Sequence, residues 1–192
     1  FLPLQQSPEA TVDYWSADPS WVDYERKVLS ILKEASPEYI FLIKEHPNVI
    51  GIRSASFYEL LRQRSNAIIV PANLHSNQLL PLSDGVLVCT GSVGFEAALR
   101  GIPVYSDSQP WNLPPSVVNP TRLLFGEKRA EVVNSDNAEA LTRYLVDSLL
   151  PGQFHNGRTA SLDYAPRDEL DREVAESLRR ALEGMGGSRL CG

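Results

Sequence analysis

Two short stretches hold the residues best suited to chemistry. Lys44-Glu45-His46-Pro47 sets a cation, an acid and an imidazole directly after the apolar residues Tyr39–Ile43, YIFLI. A buried strand ending this way delivers all three to one sheet edge. Pro47 keeps the His46 backbone extended, which fixes where the ring points. Two readings stand here: a strand exit with solvated charges, or a cluster facing an anion. The second stretch, Thr90 to Leu99 (TGSVGFEAAL), follows the apolar run GVLVC. Gly91 permits a tight turn, Ser92 can cap the helix that begins there, and Gly94 lets that helix approach the sheet. Amides of a first helical turn, aided by the helix dipole, bind anions. Thr90 and Ser92 add hydroxyl donors, and Glu96, one turn beyond Ser92, suits ribose hydroxyls. The competing reading is an ordinary capped helix whose glycines serve packing. No Lys follows the second glycine, so this is not a Walker loop, and GxGxxG is absent.

The elements that must position these stretches alternate along the chain. A short strand is expected at Phe1–Leu4. A helix should run from Trp21 to about Ala35, capped by Ser20, or by Asp18 with Pro19, with Trp21, Tyr24, Val28, Ile31 and Leu32 on one stripe. Pro37 blocks its continuation. Next come strand Tyr39–Lys44, a helix begun by Ser56, strand Ala67–Val70, a helical turn from Ser76 to about Ser83 and strand Gly85–Cys89. The helix Ser92–Arg100 should close on Gly101 at the favoured C′ position. Strand Ile102–Tyr105 precedes an ordered, proline-rich surface loop through Pro120. Ala138–Leu149 reads as a helix capped by Asn137 or Asp136, Pro151–Pro166 as a linker and Arg167–Glu183 as a charged helix. This alternation predicts an α/β fold, a Rossmann-like and mostly parallel sheet with helices on both faces. Such sheets bind ligands at the carboxyl ends of their strands. The expected organisation is a binding domain over residues 1–150, then a linker and C-terminal helix over 151–192.

At 192 residues the chain has room for one domain and a short appendage. Its net charge of −6 argues against a general nucleic-acid binder, though not against a small anion held in one cleft. Cys89 and Cys191 make neither a metal cluster nor a secreted disulfide framework, and a reducing compartment fits them best. No apolar run approaches the roughly 20 residues of a membrane span, and no signal peptide is visible. Opening on FLPL without Met, the sequence reads as a piece of something larger. His46, His75 and His155 lack metal-binding spacing; His75 and His155 read as loop residues. Trp15 and Trp21 suit packing, and Trp111 either packs on the surface or covers the cleft.

FLPLQQSPEAT, FLIKEHP and VCTGSVGFEAALRGIPV, in that order, resemble the bacterial capsule polysaccharide biosynthesis proteins. That family includes Kdo transferases that build the lipid linker of capsules, and the resemblance covers roughly residues 1–125. It implies a GT-B glycosyltransferase, of which this chain is the C-terminal, donor-binding half. It further implies a nucleotide-sugar donor, CMP-Kdo, and a glycan or glycolipid acceptor brought by an N-terminal domain of the same protein. Lys44, His46 and the turn Thr90, Gly91, Ser92 then face the donor phosphate, with Glu96 on the ribose. His46 stabilises the leaving phosphate, and Glu9, in the SPEAT block, reaches the cleft as a second catalytic candidate. No metal or other cofactor is implied, and the catalytic base is expected in the other half. The expected location is the cytoplasm or the periphery of the inner membrane. Three departures stand out: Ser92 for the family's usual Thr, Phe95 for Trp, and Tyr105-Ser106-Asp107 where a Phe-Gly pair is common. A noncatalytic sugar-nucleotide-binding domain and a GT-B-like UDP-sugar epimerase remain the alternatives.

Overall fold

The structure, a computed structural model, describes residues 1–7, 12, 16–125, 138–148, 172, 176, 179 and 180. The chain divides into two compact units, Phe1–Tyr144 and Leu145–Gly192. In the first, β1 (Leu2–Pro3), β2 (Phe41–Lys44) and β3 (Ala67–Val70) form one parallel sheet in the order β1-β2-β3. A second parallel sheet runs β4 (Val86–Leu87), β5 (Val104–Tyr105), β6 (Val118–Asn119). The two meet edge to edge. The Phe1 nitrogen donates to the Gly85 carbonyl at 2.7 Å, and the Leu87 amide donates to the Phe1 carbonyl at 2.9 Å. The strands therefore follow one another as β3-β2-β1-β4-β5-β6, the order of a Rossmann-like α/β sheet, with the topology reversing between β1 and β4.

Alternation along each strand feeds two cores. Leu2, Leu4, Phe41, Ile43, Leu87, Cys89 and Tyr105 face α1 (Tyr24–Glu34) and α2 (Ala55–Arg62). Their neighbours in sequence, Phe1, Val86, Val88 and Val104, face α3 (Ser76–Leu79), α4 (Val93–Ala98) and Leu141 of α5 (Ala138–Ser148). Side chains of opposite parity pointing to opposite faces is what a sheet covered on both sides requires. Trp21, Val28, Ile43, Leu61, Leu80 and Val86 are wholly buried. Full burial of one such aliphatic side chain contributes about 1.5–3 kcal/mol.

The expected elements are present with shifted bounds. The helix from Trp21 is two pieces, a 3₁₀ turn over Pro19–Val22 and then α1. Asp18 caps the first by accepting the Ser20 amide, and Asp23 caps the second by accepting that of Arg26, so two Asx caps compete and divide the segment. Ser54, not Ser56, caps α2, because its hydroxyl accepts the Phe57 amide at 3.2 Å. α4 stops at Ala98, and Gly101 follows at φ +68° with the paired return bonds Ile102 N–H to Ala97 O and Gly101 N–H to Ala98 O. That is a Schellman closure, as the glycine's position suggested. The proline-rich segment corrects the expectation of a surface loop. It contains β6, and Leu113, Asn112 and Asn119 within it are buried.

Residue 150, the expected domain boundary, and the caps Asn137 and Asp136 lie outside the described residues, as does nearly all of the expected linker and last helix. Arg172, Glu176, Arg179 and Arg180 are described, each helical and exposed.

Candidate functional site

β2 and β4 open their carboxyl ends on the same edge, one on each side of β1. After β2 the chain turns through Glu45 and His46 into a 3₁₀ turn, Pro47–Val49. His46 is extended, at φ −70° and ψ 133°, as its proline requires. The Asn48 amide donates to its Nδ1 at 3.2 Å, so in the neutral ring Nε2 bears the hydrogen and is the atom that can meet a ligand. His46 is half-buried.

Lys44 and Glu45 are both buried. The Lys44 ammonium donates to the Glu45 carbonyl at 3.2 Å. Glu45 is the more heavily bonded. Its Oε1 accepts the His46 amide at 2.6 Å, its Oε2 accepts Arg53 Nε at 2.8 Å, and the Tyr58 hydroxyl donates to Oε2 as well. A carboxylate this buried needs such donors to replace its lost hydration. Burial, followed by the bond to Glu45, pushes the Tyr58 phenol up to about 12.

After β4 comes the Thr90–Ser92 turn. Gly91 holds an ordinary φ, as among the described residues only Gly51 and Gly101 are left-handed, so its missing side chain serves space instead. A Cβ there would lie 3.3 Å from the Gln5 amide group. Gly94 does let α4 settle on the sheet: its Cβ would meet Val88 Cγ2 at 3.0 Å and Val104 Cγ1 at 3.4 Å. Ser92 sits at the N-cap position, exposed, and its hydroxyl makes no capping bond. Thr90 is buried and bound to Gln5. Glu96 is half-buried on α4, its amide returning to the Ser92 carbonyl at 3.1 Å. Because α4 has only six residues, its dipole adds little, and anion binding here would fall to local amides and hydroxyls.

Gln5 was not among the residues singled out by sequence. It is buried, its Oε1 accepts the Cys89 and Thr90 amides at 2.7 and 3.0 Å, and its Nε2 donates to Thr90 Oγ1 at 3.4 Å. The signal existed: Gln5 leaves β1 as His46 leaves β2, each two residues past the paired Pro3 and Lys44, so the strand-end rule applied to β1 as well finds it. Arg53, from a polar loop, offered no such signal.

Glu9, Trp15, His155 and Cys191 lie outside the described residues. His75 is an N-cap, its Nδ1 accepting the Asn77 amide and Gln78 closing a capping box. Trp21 is core. Trp111 is 42% exposed. Where the sequence departs with Ser106 and Asp107, the structure ties the chain down. The Ser106 hydroxyl donates to the Cys89 carbonyl at 2.8 Å, and Asp107 accepts the Thr121 amide at 2.9 Å. Burial pushes the Cys89 thiol up, away from reactivity. Among the described residues no group of His, Cys, Asp and Glu could hold a metal ion.

A cavity of about 350 Å³ lies at the opposite edge, where Tyr39, Ile40, Leu82, Asp84 and Gly85 precede β2 and β4. A second, about 270 Å³, adjoins Asp23, Arg53 and Ser54. Neither contains His46 or the Thr90 turn. The hydrogen-bond donors nevertheless gather at the carboxyl edge, and ligand binding in parallel sheets follows that edge rather than cavity size.

Fold and site together define a Rossmann-like α/β domain with polar residues at the carboxyl ends of β2 and β4, on either side of β1. The sequence matches the capsule polysaccharide biosynthesis proteins over residues 1–112, more than half its length, and the chain belongs to that family. No curated protein and no solved structure matches it. Among the described residues no helix is long and apolar enough to cross a membrane.

Proposed function

We propose that this chain is the donor-binding half of a GT-B glycosyltransferase in capsule synthesis, taking a CMP-activated sugar, CMP-Kdo. One observation carries the reading: in a member of the capsule family, His46 and the Thr90–Ser92 turn end strands on either side of β1, at the shared edge where sheets of this order hold nucleotides. His46 Nε2 and the hydroxyl of Ser92 bind the donor phosphate, with the amides of Gly91 and Ser92. Lys44 adds positive charge from beneath, Glu96 takes the ribose, and Glu9 is a second catalytic candidate. In transfer, the bond from anomeric carbon to phosphate oxygen breaks and its electron pair leaves with the phosphate. The acceptor hydroxyl forms the new bond and gives up its proton to a base on the acceptor domain. Donors fixed at the leaving oxygen lower that barrier by stabilising the charge that develops. The partners this reading requires are a nucleotide sugar, an acceptor glycan or glycolipid, and the acceptor-binding half. The reaction belongs in the cytoplasm or at the inner membrane surface.

Calorimetric titration with CMP, cytidine and UMP tests it. CMP should bind, and His46→Ala should weaken it at least about tenfold, the loss of one charge-assisted bond. The chain alone should transfer no sugar. Absence of binding by any nucleotide would sink the reading, and transfer by the isolated chain would remove the need for a second half.

A further inference from the structure

The two strand ends of the proposed anion site are not neighbours, because β1 separates β2 from β4. Whatever keeps His46 in register with Thr90 must cross the end of β1, and the residue there is Gln5. Every polar group of Gln5 is engaged. Its amide donates to Tyr24 Oη at 2.8 Å, and its carbonyl accepts Arg53 Nη2. Its side chain holds the Cys89 and Thr90 amides and Thr90 Oγ1. On the other side, Arg53 Nε binds the Glu45 carboxylate, which in turn holds the His46 amide. The Arg53 and Glu45 side chains are only 5% and 7% exposed, so solvent does not screen this pair. Arg53 also lies over the rings of Tyr24 and Phe57, at 5.1 and 5.9 Å, which fixes its plane.

We infer that Gln5 is a positioning residue: with Arg53 and Glu45 it forms a brace that holds the Thr90 turn in register with His46. An unbroken bonded path therefore runs His46 N–H, Glu45, Arg53, Gln5, Thr90 N–H, linking positions 46 and 90 through residues that need not touch ligand. The planar guanidinium suits its place, since one fork serves a carboxylate and a carbonyl together, which a lysine ammonium on its longer, looser stem does not do in this geometry. The consequence for binding rests on the proposed function; the brace itself does not.

The test combines amide hydrogen exchange by NMR with CMP titration on the wild-type chain, Gln5→Ala, Gln5→Glu and Arg53→Lys. Gln5→Ala should speed exchange at Cys89 and Thr90 about fivefold or more, the equilibrium weight of one hydrogen bond. Gln5→Glu keeps the acceptor oxygens and should restore the protection. Arg53→Lys, which touches neither amide, should also speed both, while the Val86 and Val88 amides in the β4–β5 ladder stay protected. CMP affinity should fall about fivefold in Arg53→Lys, again the weight of one bond. Should Gln5→Ala not fold, the other two variants decide. Unchanged exchange at Cys89 and Thr90 in Arg53→Lys overturns the brace, whatever CMP does. Faster exchange with unchanged CMP affinity overturns its role in positioning the site. If the wild-type chain binds no nucleotide, the proposed function fails and the exchange result alone decides whether the brace exists.

Discussion

Lys27 on α1 reaches Asp107, just beyond β5, at 3.2 Å, while also bonding Asp18 at 2.8 Å. One ammonium thus ties the start of the helical layer to the end of a strand, and Asp107 passes the tie on to Thr121. Burial works against charge on both Lys27 and Asp18, yet their mutual bonds win: Lys27 is raised and Asp18 lowered from their ordinary values. For Asp18, a lowered folded value means stability that is present above the ordinary 3.8 and lost as pH falls through the folded value. For Lys27, a raised value means stability present below 10.5 and lost as pH rises past it. Lys27→Met should therefore cost about 1 kcal/mol at neutral pH, a modest figure for a partly exposed triad. Urea midpoints measured across pH should show the gap to wild type closing in acid. A gap independent of pH would mean the triad contributes through packing alone.

Tyr58→Phe removes one of three donors to a buried carboxylate. The loss should be about 1–3 kcal/mol, the cost of leaving such a group less satisfied. In the wild type, Tyr58 moves from an ordinary 10.0 up to about 12, so its contribution is complete below pH 10.0 and disappears as pH climbs through the folded value. An ultraviolet titration comparing the two proteins should show one high-alkaline phenol missing from the variant. A difference titrating near the ordinary tyrosine value would contradict the bond to Glu45.

Gly94→Val tests how closely α4 approaches the sheet. Even a Cβ would stand 3.0 Å from Val88 Cγ2, and the extra methyl groups meet the same wall. Overpacking of this kind costs about 1–3 kcal/mol. The urea midpoint should fall with an unchanged slope. A stability equal to wild type would show that the helix can back away from the sheet at no expense.

Ser92→Ala and Glu96→Gln separate phosphate from ribose recognition. The Ser92 hydroxyl is exposed and uncommitted at its cap position, whereas Glu96, itself an anion, would repel a phosphate at close range. Ser92→Ala should weaken CMP and spare cytidine. Glu96→Gln should weaken both by a similar factor. Titrating both ligands into both variants checks the assignment, and a Glu96→Gln protein that binds CMP more tightly would reverse it.

Much of this architecture is readable in the residues themselves. Ala67–Val70 forms the strand its four apolar residues announce, and Gly101 closes its helix in the left-handed conformation. β6 escaped because it is two residues long between Pro114-Pro115 and Pro120, too short to show alternation, and its burial depends on β5 lying beside it. Similarly, Trp21 carries the right periodicity for α1 but sits in a separate turn, because two nearby aspartates each cap their own amides. Of the candidate site, the strand ends were legible from their polar residues. Glu45–Arg53 and Gln5–Thr90 were not, since one joins a strand end to a loop and the other spans 85 positions. Periodicity carries no information about pairings of that kind.

The join between β1 and β4 has a further consequence, for how the molecule is made. Phe1 and Gly85 are 84 positions apart, so the middle of the sheet cannot be completed until Gly85 has been synthesised. Closing a loop of that length costs about 4 kcal/mol in chain entropy beyond a constant, offset by the backbone bonds at the seam and by burial of Leu2 and Leu4 with Leu87 and Cys89. Until β4 arrives, β1 presents a bare edge able to pair with any extended chain nearby. The growing polypeptide is thus most exposed to misassociation between the emergence of β3 and that of β4, and a chaperone that shields this edge during that interval should raise the yield of folded protein more than one supplied after release from the ribosome.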